Sequence, residues 1–386
     1  MVFQKRIIFR LFALCFFPIL SNAQSWQTKV NPSVFDELRA RQTTEILVTM
    51  REQADLSRVS NGLTKEEKGE LVVQILRGTA ERSQSDMQQF LQTQNVDFQS
   101  FWLINAVFLK SDFALLKQLA ERSDVATIDN NPHTQQSLLP QNLNLPQPEG
   151  VNIPWGILKI KADSVWALGI RGQGAVVGGA DTGYDWTHPA LKKKYRGWND
   201  TTGVANHNYN WHDAIHPDST TATNPCGTNQ NKPCDDGFHG THTMGTMIGS
   251  VDTQLIGVAP GARWIGTRNM DRGDGTPARY IECFQWFVAP TDSLGRLPQT
   301  KLAPHVINNS WGCPPSEGCN LGNFAVMNTV IQNVRKAGIV VVASAGNSGP
   351  NCGSVQDPPA MFAPSFSVGA TGQNDTIASL DRKSVV

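Results

Sequence analysis

The sequence predicts two folded parts: a small two-layer α+β module and, after a linker, an α/β domain whose parallel sheet is covered by helices on both faces. Three observations predict it. Up to residue 131, strand and helix patterns alternate over short spans, as in a sheet backed by helices. Residues 132–154, rich in Gln, Asn, Pro and Leu, carry no usable apolar period and read as an exposed linker. From Trp155 onward, short continuous apolar runs sit between amphipathic helices, the pattern of strands buried on both faces.

Residues 1–23 have the layout of an export signal. Lys5, Arg6 and Arg10 precede an apolar run over 11–20, and Ser21-Asn22-Ala23 supplies a small-residue cleavage site. As a membrane anchor the run is too short, since Pro18 interrupts it and a spanning helix needs about 20 apolar residues. No later stretch comes close, so no membrane span is expected. The module, residues 24–131, is expected to run strand (46–50), helix (65–94), strands (98–110), helix (113–122) and strand (125–129).

In the domain, residues 155–386, strands are expected at 175–180, 263–268, 305–309, 339–344 and 365–370, and helices at 241–251, 277–288 and 323–336. The last helix carries Met327, Val330, Ile331 and Val334 on one face and stops at Gly338. Sites in such sheets lie at the carboxyl ends of strands.

Formal net charge is zero and charged residues make up 17%, which gives no electrostatic footing for nucleic acid or an anionic membrane. Beyond Cys15, the cysteines Cys226, Cys234, Cys283, Cys313, Cys319 and Cys352 form an even set, and in an exported chain that favours disulfides over free thiols. Cys226 with Cys234 and Cys313 with Cys319 would each close a short loop containing Pro, which leaves Cys283 with Cys352 by elimination. Connectivity is not fixed by sequence, and free structural thiols are the alternative.

Three motifs sit where the strand-end rule predicts. Asp181 ends a strand in Gly178-Gly179-Ala180-Asp181-Thr182-Gly183, where backbone N–H groups can hold a carboxylate facing a cleft. His239 opens a helix in His239-Gly240-Thr241-His242, and an imidazole anchored there can be oriented by a carboxylate and act as general base. Asn347 follows a strand in Ala345-Gly346-Asn347-Ser348-Gly349, a sharp turn able to project an amide donor toward an oxyanion.

With His188-Pro189 after Asp181, Gly245-Thr246 after His239, then Gly257-Val258-Ala259-Pro260-Gly261-Ala262 and Asn309-Ser310-Trp311-Gly312, the ordered set resembles the subtilase family, in its bacillopeptidase F-like branch. The resemblance spans roughly residues 155–377. More weakly, by pattern and position, residues 45–130 resemble the inhibitory propeptide of such proteases. The resemblance implies a subtilisin-like parallel sheet with helices on both faces, preceded by a small α+β ferredoxin-like propeptide domain. It implies that Asp181 orients the histidine, His239 is the general base and Asn347 the oxyanion donor. Ser310, Trp311 and Gly312 would form one edge of the substrate cleft, and the turn around Asp274-Gly275-Thr276 the other, both holding a substrate as an added β-strand. The implied activity is that of a secreted serine endopeptidase made as a zymogen. It would act on protein or peptide substrates, be inhibited by its own propeptide, and need no cofactor for its chemistry. On oligomeric state the sequence is silent.

One departure from the family pattern stands out. The Gly-Thr-Ser-x-Ala turn that carries the nucleophile is absent: each of Gly78, Gly227, Gly240, Gly245, Gly266 and Gly275 is followed by Thr, and none of those by Ser. Residues 380–386 also leave the family text. The chain is therefore expected to stop before its catalytic serine, and the rival reading is an inactive fragment or peptide-binding module.

Other readings of the same residues are weaker. His239 and His242 as zinc ligands lack the Glu of the metalloprotease arrangement, which leaves His242 as a packed core histidine. The aspartic-protease reading of Asp181-Thr182-Gly183 needs a second such motif, and the sequence has one. Gly346-Asn347-Ser348-Gly349 faintly echoes the chymotrypsin-like nucleophile turn, but there His precedes Asp and the fold is a β-barrel. The loop over 198–237, with Asp213, Asp218, Asp235 and Asp236, offers ligands for structural calcium, although a solvated insertion closed by a disulfide is the simpler expectation. Trp264, Trp286 and Trp311 are expected in the core or the cleft wall, and Trp311 alone has a motif reason to touch substrate.

Overall fold

The computed structural model describes residues 26–136, 153–217, 224–349 and 351–377. The export signal, most of the linker, Asp218 and the divergent tail lie outside the described residues.

The module comprises α1 (Pro32–Arg41), β1 (Thr43–Met50), α2 (Lys65–Thr93), β2 (Phe98–Phe101), β3 (Ala106–Asp112), α3 (Phe113–Glu121) and β4 (Val125–Asn130). Its sheet is antiparallel in the order β2-β3-β1-β4. Alternation along β1 sends Ile46, Val48 and Met50 into a core with Met87 and Leu91 of α2 and Leu116 and Leu119 of α3, while Leu47 enters a second core shared with the larger domain. The sequence pattern predicts no element before residue 46, whereas the structure places α1 there. Its signal was nonetheless there: Asn31 accepts from the Ser33 N–H at 3.2 Å, and Pro32 opens the first turn. A capping box starts α2, with the Thr64 hydroxyl accepting from Glu67 N–H at 3.2 Å and the Glu67 carboxylate accepting from Thr64 N–H at 2.8 Å.

After β5 (Thr134–Gln135), the second part contains α4 (Trp155–Lys159), α5 (Ala162–Ala167), β6 (Val176–Asp181), α6 (Pro189–Lys192), β7 (Trp198–Asn199), β8 (Val204–Ala205) and β9 (Trp211–Asp213). Then come α7 (His239–Ile248), β10 (Ser250–Val251), β11 (Gln254–Leu255), β12 (Arg263–Arg268), β13 (Met270–Asp271), β14 (Asp274–Gly275) and α8 (Pro277–Val288). The last elements are β15 (Val306–Asn309), α9 (Leu321–Lys336), β16 (Val340–Ser344) and β17 (Phe366–Val368). Six strands form one parallel sheet in the order β17-β16-β15-β6-β12-β9. All its carboxyl ends therefore face the same way. At only three residues, β9 is too short to leave a periodic signal. The helix expected over 241–251 starts earlier and ends at Ile248, because the chain leaves helical geometry at Gly249 and turns into the β10–β11 hairpin. At the β17 edge of the sheet, Phe366 and Val368 are 64% and 47% exposed.

The free face of the module's sheet docks on α8 and α9. Backbone N–H groups of Trp102 and Leu103 donate to Gln285 Oε1 at 2.8 and 3.1 Å, and Asn333 Nδ2 donates to the Leu103 carbonyl at 2.7 Å. The start of each helix is also held: Asn131 Oδ1 accepts from Ala278 N–H at 2.9 Å, and Asn320, which caps α9, accepts from Asn31 Nδ2 at 2.7 Å. This docking leads the chain leaving β4 directly toward the carboxyl ends of the parallel strands.

Candidate active site

Asp181 is the last residue of β6 and is fully buried, and His239 is the first of α7. The imidazole Nδ1 lies 2.7 Å from Asp181 Oδ1, which also accepts from the Thr182 N–H at 2.8 Å. The Thr243 hydroxyl, one turn along α7, donates to Asp181 Oδ2 at 3.3 Å. With the carboxylate fixed by these donors, Nδ1 of the imidazole is engaged and Nε2 is the nitrogen left for chemistry. Burial alone would lower the pKa of His239, but the charge and hydrogen bond of Asp181, with Asp235 adding to them, outweigh it and hold the imidazole above its ordinary range.

Two glycines allow this approach. A Cβ on Gly240 would meet the Gly183 carbonyl oxygen at 2.0 Å, and one on Gly183, whose φ is +107°, would meet the Cys234 carbonyl oxygen at 1.8 Å.

Asp235 is the functional residue the sequence reading did not isolate. The N-cap position of α7, Phe238, has no side-chain acceptor, and Asp235 takes over from three residues upstream. Its Oδ1 accepts from the N–H groups of Gly237 at 3.0 Å and Phe238 at 2.7 Å and from the Thr182 hydroxyl at 2.8 Å; Oδ2 accepts from the Thr241 N–H at 2.9 Å and its hydroxyl at 2.5 Å. An acid shortly before a predicted helix start was the available signal. Behind it, buried Arg268 binds Asp213 through Nε at 2.9 Å and Nη2 at 2.7 Å, and Asp236 through Nη1 at 3.0 Å. Burial pushes the Asp236 carboxyl up to about 7 despite the guanidinium beside it. The loop over 198–237 is therefore no solvated insertion at these points. Its acids Asp213, Asp235 and Asp236 face inward because they tie β9 and β12 to the start of α7.

The cleft already holds a strand of the chain's own. Immediately after the module, β5 pairs antiparallel with β14, Thr134 against Gly275 and Gln135 against Asp274. The Gln136 N–H then donates to the Gly273 carbonyl at 2.7 Å, and the Gln136 side chain reaches His239, with Nε2 to Nε2 at 3.5 Å. His133 Nδ1 lies 2.9 Å from both carboxylate oxygens of Asp274. Gly275 thus stands at a cleft edge that accepts an added strand. Across from it, Ser310, Trp311 and Gly312 follow β15, but among the described residues no backbone hydrogen bond joins them to this tail. Trp311 is buried, its ring stacked on Tyr280 at 3.7 Å. Asn347 is exposed in the turn after β16, beyond Gly346 with φ +88°.

Two expectations are corrected. His242 is exposed, not packed in the core, because the step from His239 turns it to the solvent side of α7. Cys226–Cys234 and Cys313–Cys319 are bonded, but Cys283 and Cys352 are free. Cys283 is buried on α8 against β12, with its Sγ 3.9 Å from the Arg268 carbonyl oxygen, whereas Cys352 is exposed in the loop after β16. The strands beside them stand three places apart in the sheet, about 14 Å at ordinary strand spacing, against the roughly 4.4–6.8 Å between Cα atoms that a disulfide spans.

Among curated proteins, bacillopeptidase F of Bacillus subtilis (strain 168) is 32% identical over 93% of this chain, which spans 26% of that relative's length. The epidermin leader peptide processing serine protease of Staphylococcus aureus, solved as an S393A mutant, matches with a TM-score of 0.60 at 14% identity, covering 87% of this chain and 72% of that one. Fervidolysin of Fervidobacterium pennivorans, a keratinolytic enzyme related to subtilisin, gives 0.52 at 16% identity over 85% of this chain and 43% of its own. The fold is therefore the subtilisin-like parallel sheet with helices, preceded by a small antiparallel sheet of the kind a propeptide domain has. With the Subtilase family model matching residues 172–386, the chain belongs to the subtilase family of serine peptidases.

Proposed function

We propose that the chain carries the general base, its orienting carboxylate and an oxyanion donor of a secreted Ser-His-Asp endopeptidase made as a zymogen. The observation that carries this reading is the tail strand: a peptide runs along β14 and ends with Gln136 against the outer nitrogen of His239, where a scissile bond would have to be. In this reading residues 24–131 are the propeptide and 132–154 the linker to a peptidase domain at 155–386.

His239 Nε2 takes the proton of a serine hydroxyl as its oxygen attacks the substrate carbonyl, while Asp181 stabilises the imidazolium through Nδ1. The imidazolium then protonates the leaving amine, and water repeats the sequence on the acyl-enzyme. Asn347 donates its amide to the oxyanion. Substrate enters as an added strand on Gly275, with Ser310, Trp311 and Gly312 as the opposite wall. No Gly-Thr-Ser-x-Ala turn, which carries that serine in the family pattern, occurs within these 386 residues. Export by residues 1–23 is part of this proposal, as is the absence of any cofactor in the chemistry. Calcium would be structural, and Asp213, Asp235 and Asp236 of the 198–237 loop already have other partners, so they do not favour that site.

The test is labelling of the native secreted protein with a serine-directed fluorophosphonate, alongside casein hydrolysis. Labelling that falls sharply in His239→Ala, with no labelling of the 386-residue chain alone, is the expected result. A native protein that neither labels nor cleaves would leave a peptide-holding cleft without catalysis.

A further inference from the structure

The tail strand carries one side chain that goes down into the protein. Thr134, the residue paired with Gly275, is 3% exposed, while its neighbours His133 and Gln135 point outward, as alternation along a strand requires. The Thr134 hydroxyl donates to the Gly275 carbonyl at 3.3 Å and lies 2.6 Å from the Tyr280 hydroxyl, which in that arrangement donates to it. Tyr280 is itself buried and, among the described residues, makes no other side-chain hydrogen bond. Its ring lies flat on Trp311, with centroids 3.7 Å apart and planes 13° off parallel, so two large aromatics floor the pocket. Gly275 makes room for the phenol, because a Cβ there would fall 2.1 Å from the Tyr280 oxygen.

We propose that the cleft reads the substrate residue pairing with Gly275 for a small hydroxyl-bearing side chain, Thr or Ser, with Tyr280 as the specificity-determining residue. This rests on the peptidase reading of the same cleft. An aliphatic side chain of equal size leaves the phenol hydroxyl buried without a partner, and the loss falls on the complex with that peptide alone. Leu or Phe is shut out by volume, since the Tyr280–Trp311 stack fills the space below. Substrates selected here are peptides with Thr or Ser two residues before the one that reaches His239.

Two experiments decide it, and the first needs no catalysis. In the 386-residue chain, hydrogen exchange at the Gln136 amide reports how firmly the tail is held on Gly273. Thr134→Ser should keep its protection and Thr134→Val should lose about tenfold or more, whereas in a Tyr280→Phe background the same Thr134→Val change should cost little, because both partners are then gone. Equal protection in Thr134→Ser and Thr134→Val, or an equal loss in both backgrounds, overturns the proposal. The second uses the native secreted protein and peptides varied at that one position. Thr and Ser should exceed Val and Leu by about tenfold or more in kcat/KM, a gap that Tyr280→Phe narrows, and a preference for Val or Leu overturns the proposal. If the secreted protein cleaves nothing, the peptidase reading fails while the exchange experiment still decides the pocket.

Discussion

Asp235 holds Thr241 twice through one oxygen, accepting from its backbone N–H at 2.9 Å and its hydroxyl at 2.5 Å. The grip matters because Thr241 lies two residues beyond His239, on the first turn of α7, and fixes where the imidazole begins.

Asp235 is accordingly a positioning residue. Asp235→Ala leaves buried N–H and hydroxyl donors without an acceptor and should lower stability by about 1–3 kcal/mol, read as a shifted denaturant midpoint with unchanged slope. Asp235→Asn keeps one acceptor oxygen and should recover part of that. It also removes a negative charge that raises the pKa of His239, so the pH limb assigned to His239 should move down. An unmoved limb would reduce Asp235 to a structural cap.

His239 should set the acid limb of kcat/KM in the native protein. The base works when neutral, and Asp181 holds its pKa above the ordinary histidine range, so activity should rise with pH through a value above that range. Asp181→Asn should move the limb down and lower kcat by about 10⁴-fold, as loss of the orienting carboxylate does in trypsin-like enzymes. Equal pH profiles for both proteins would break the pairing.

How much of this was legible in the sequence follows from how local each signal is. Asp181 and His239 were visible because strand end, glycine turn and helix start are neighbours in sequence, and the parallel sheet expected from apolar runs is the one that forms. Asp235, Arg268 and Asp213 were not, because what makes them matter is a burial that brings 213, 236 and 268 together. The Cys283–Cys352 expectation failed on the same ground: counting pairs residues without knowing which strands lie between them. The tail strand β5 is two residues long and exists only because β14 is there to receive it, so no local pattern could announce it.

Asn347 projects from an exposed turn after β16 at the same end of the sheet as Asp181. Asn347→Leu removes the amide donor but little volume, so kcat in the native protein should fall about 10²–10³-fold with KM nearly constant, the range known for loss of the corresponding donor in subtilisin itself. A rise in KM with kcat preserved would mean that the side chain binds substrate and does not stabilise the oxyanion.

His212 and His216 share one buried carboxylate: Nε2 of His212 is 2.8 Å and Nε2 of His216 2.9 Å from oxygens of Glu282, which joins β9 and the loop after it to α8. The hydrogen bond to Glu282 is the chief reason that His216 is pushed up to about 9, against a smaller opposing effect of burial. Burial would raise Glu282, but the two imidazoles outweigh it and hold the carboxyl well below its usual range. The signs then follow. The raised His216 contributes stability that is complete below its unfolded pKa, near 6.5, and is lost as pH rises through about 9. The depressed Glu282 contributes above its unfolded pKa, near 4.5, and that part is lost only at much lower pH. The gap in melting temperature between the parent chain and Glu282→Gln should therefore be widest between about pH 5 and 6.5 and shrink steadily toward pH 10. A gap that stays constant from pH 5 to 10 would mean that His216 is not held in its protonated form by Glu282.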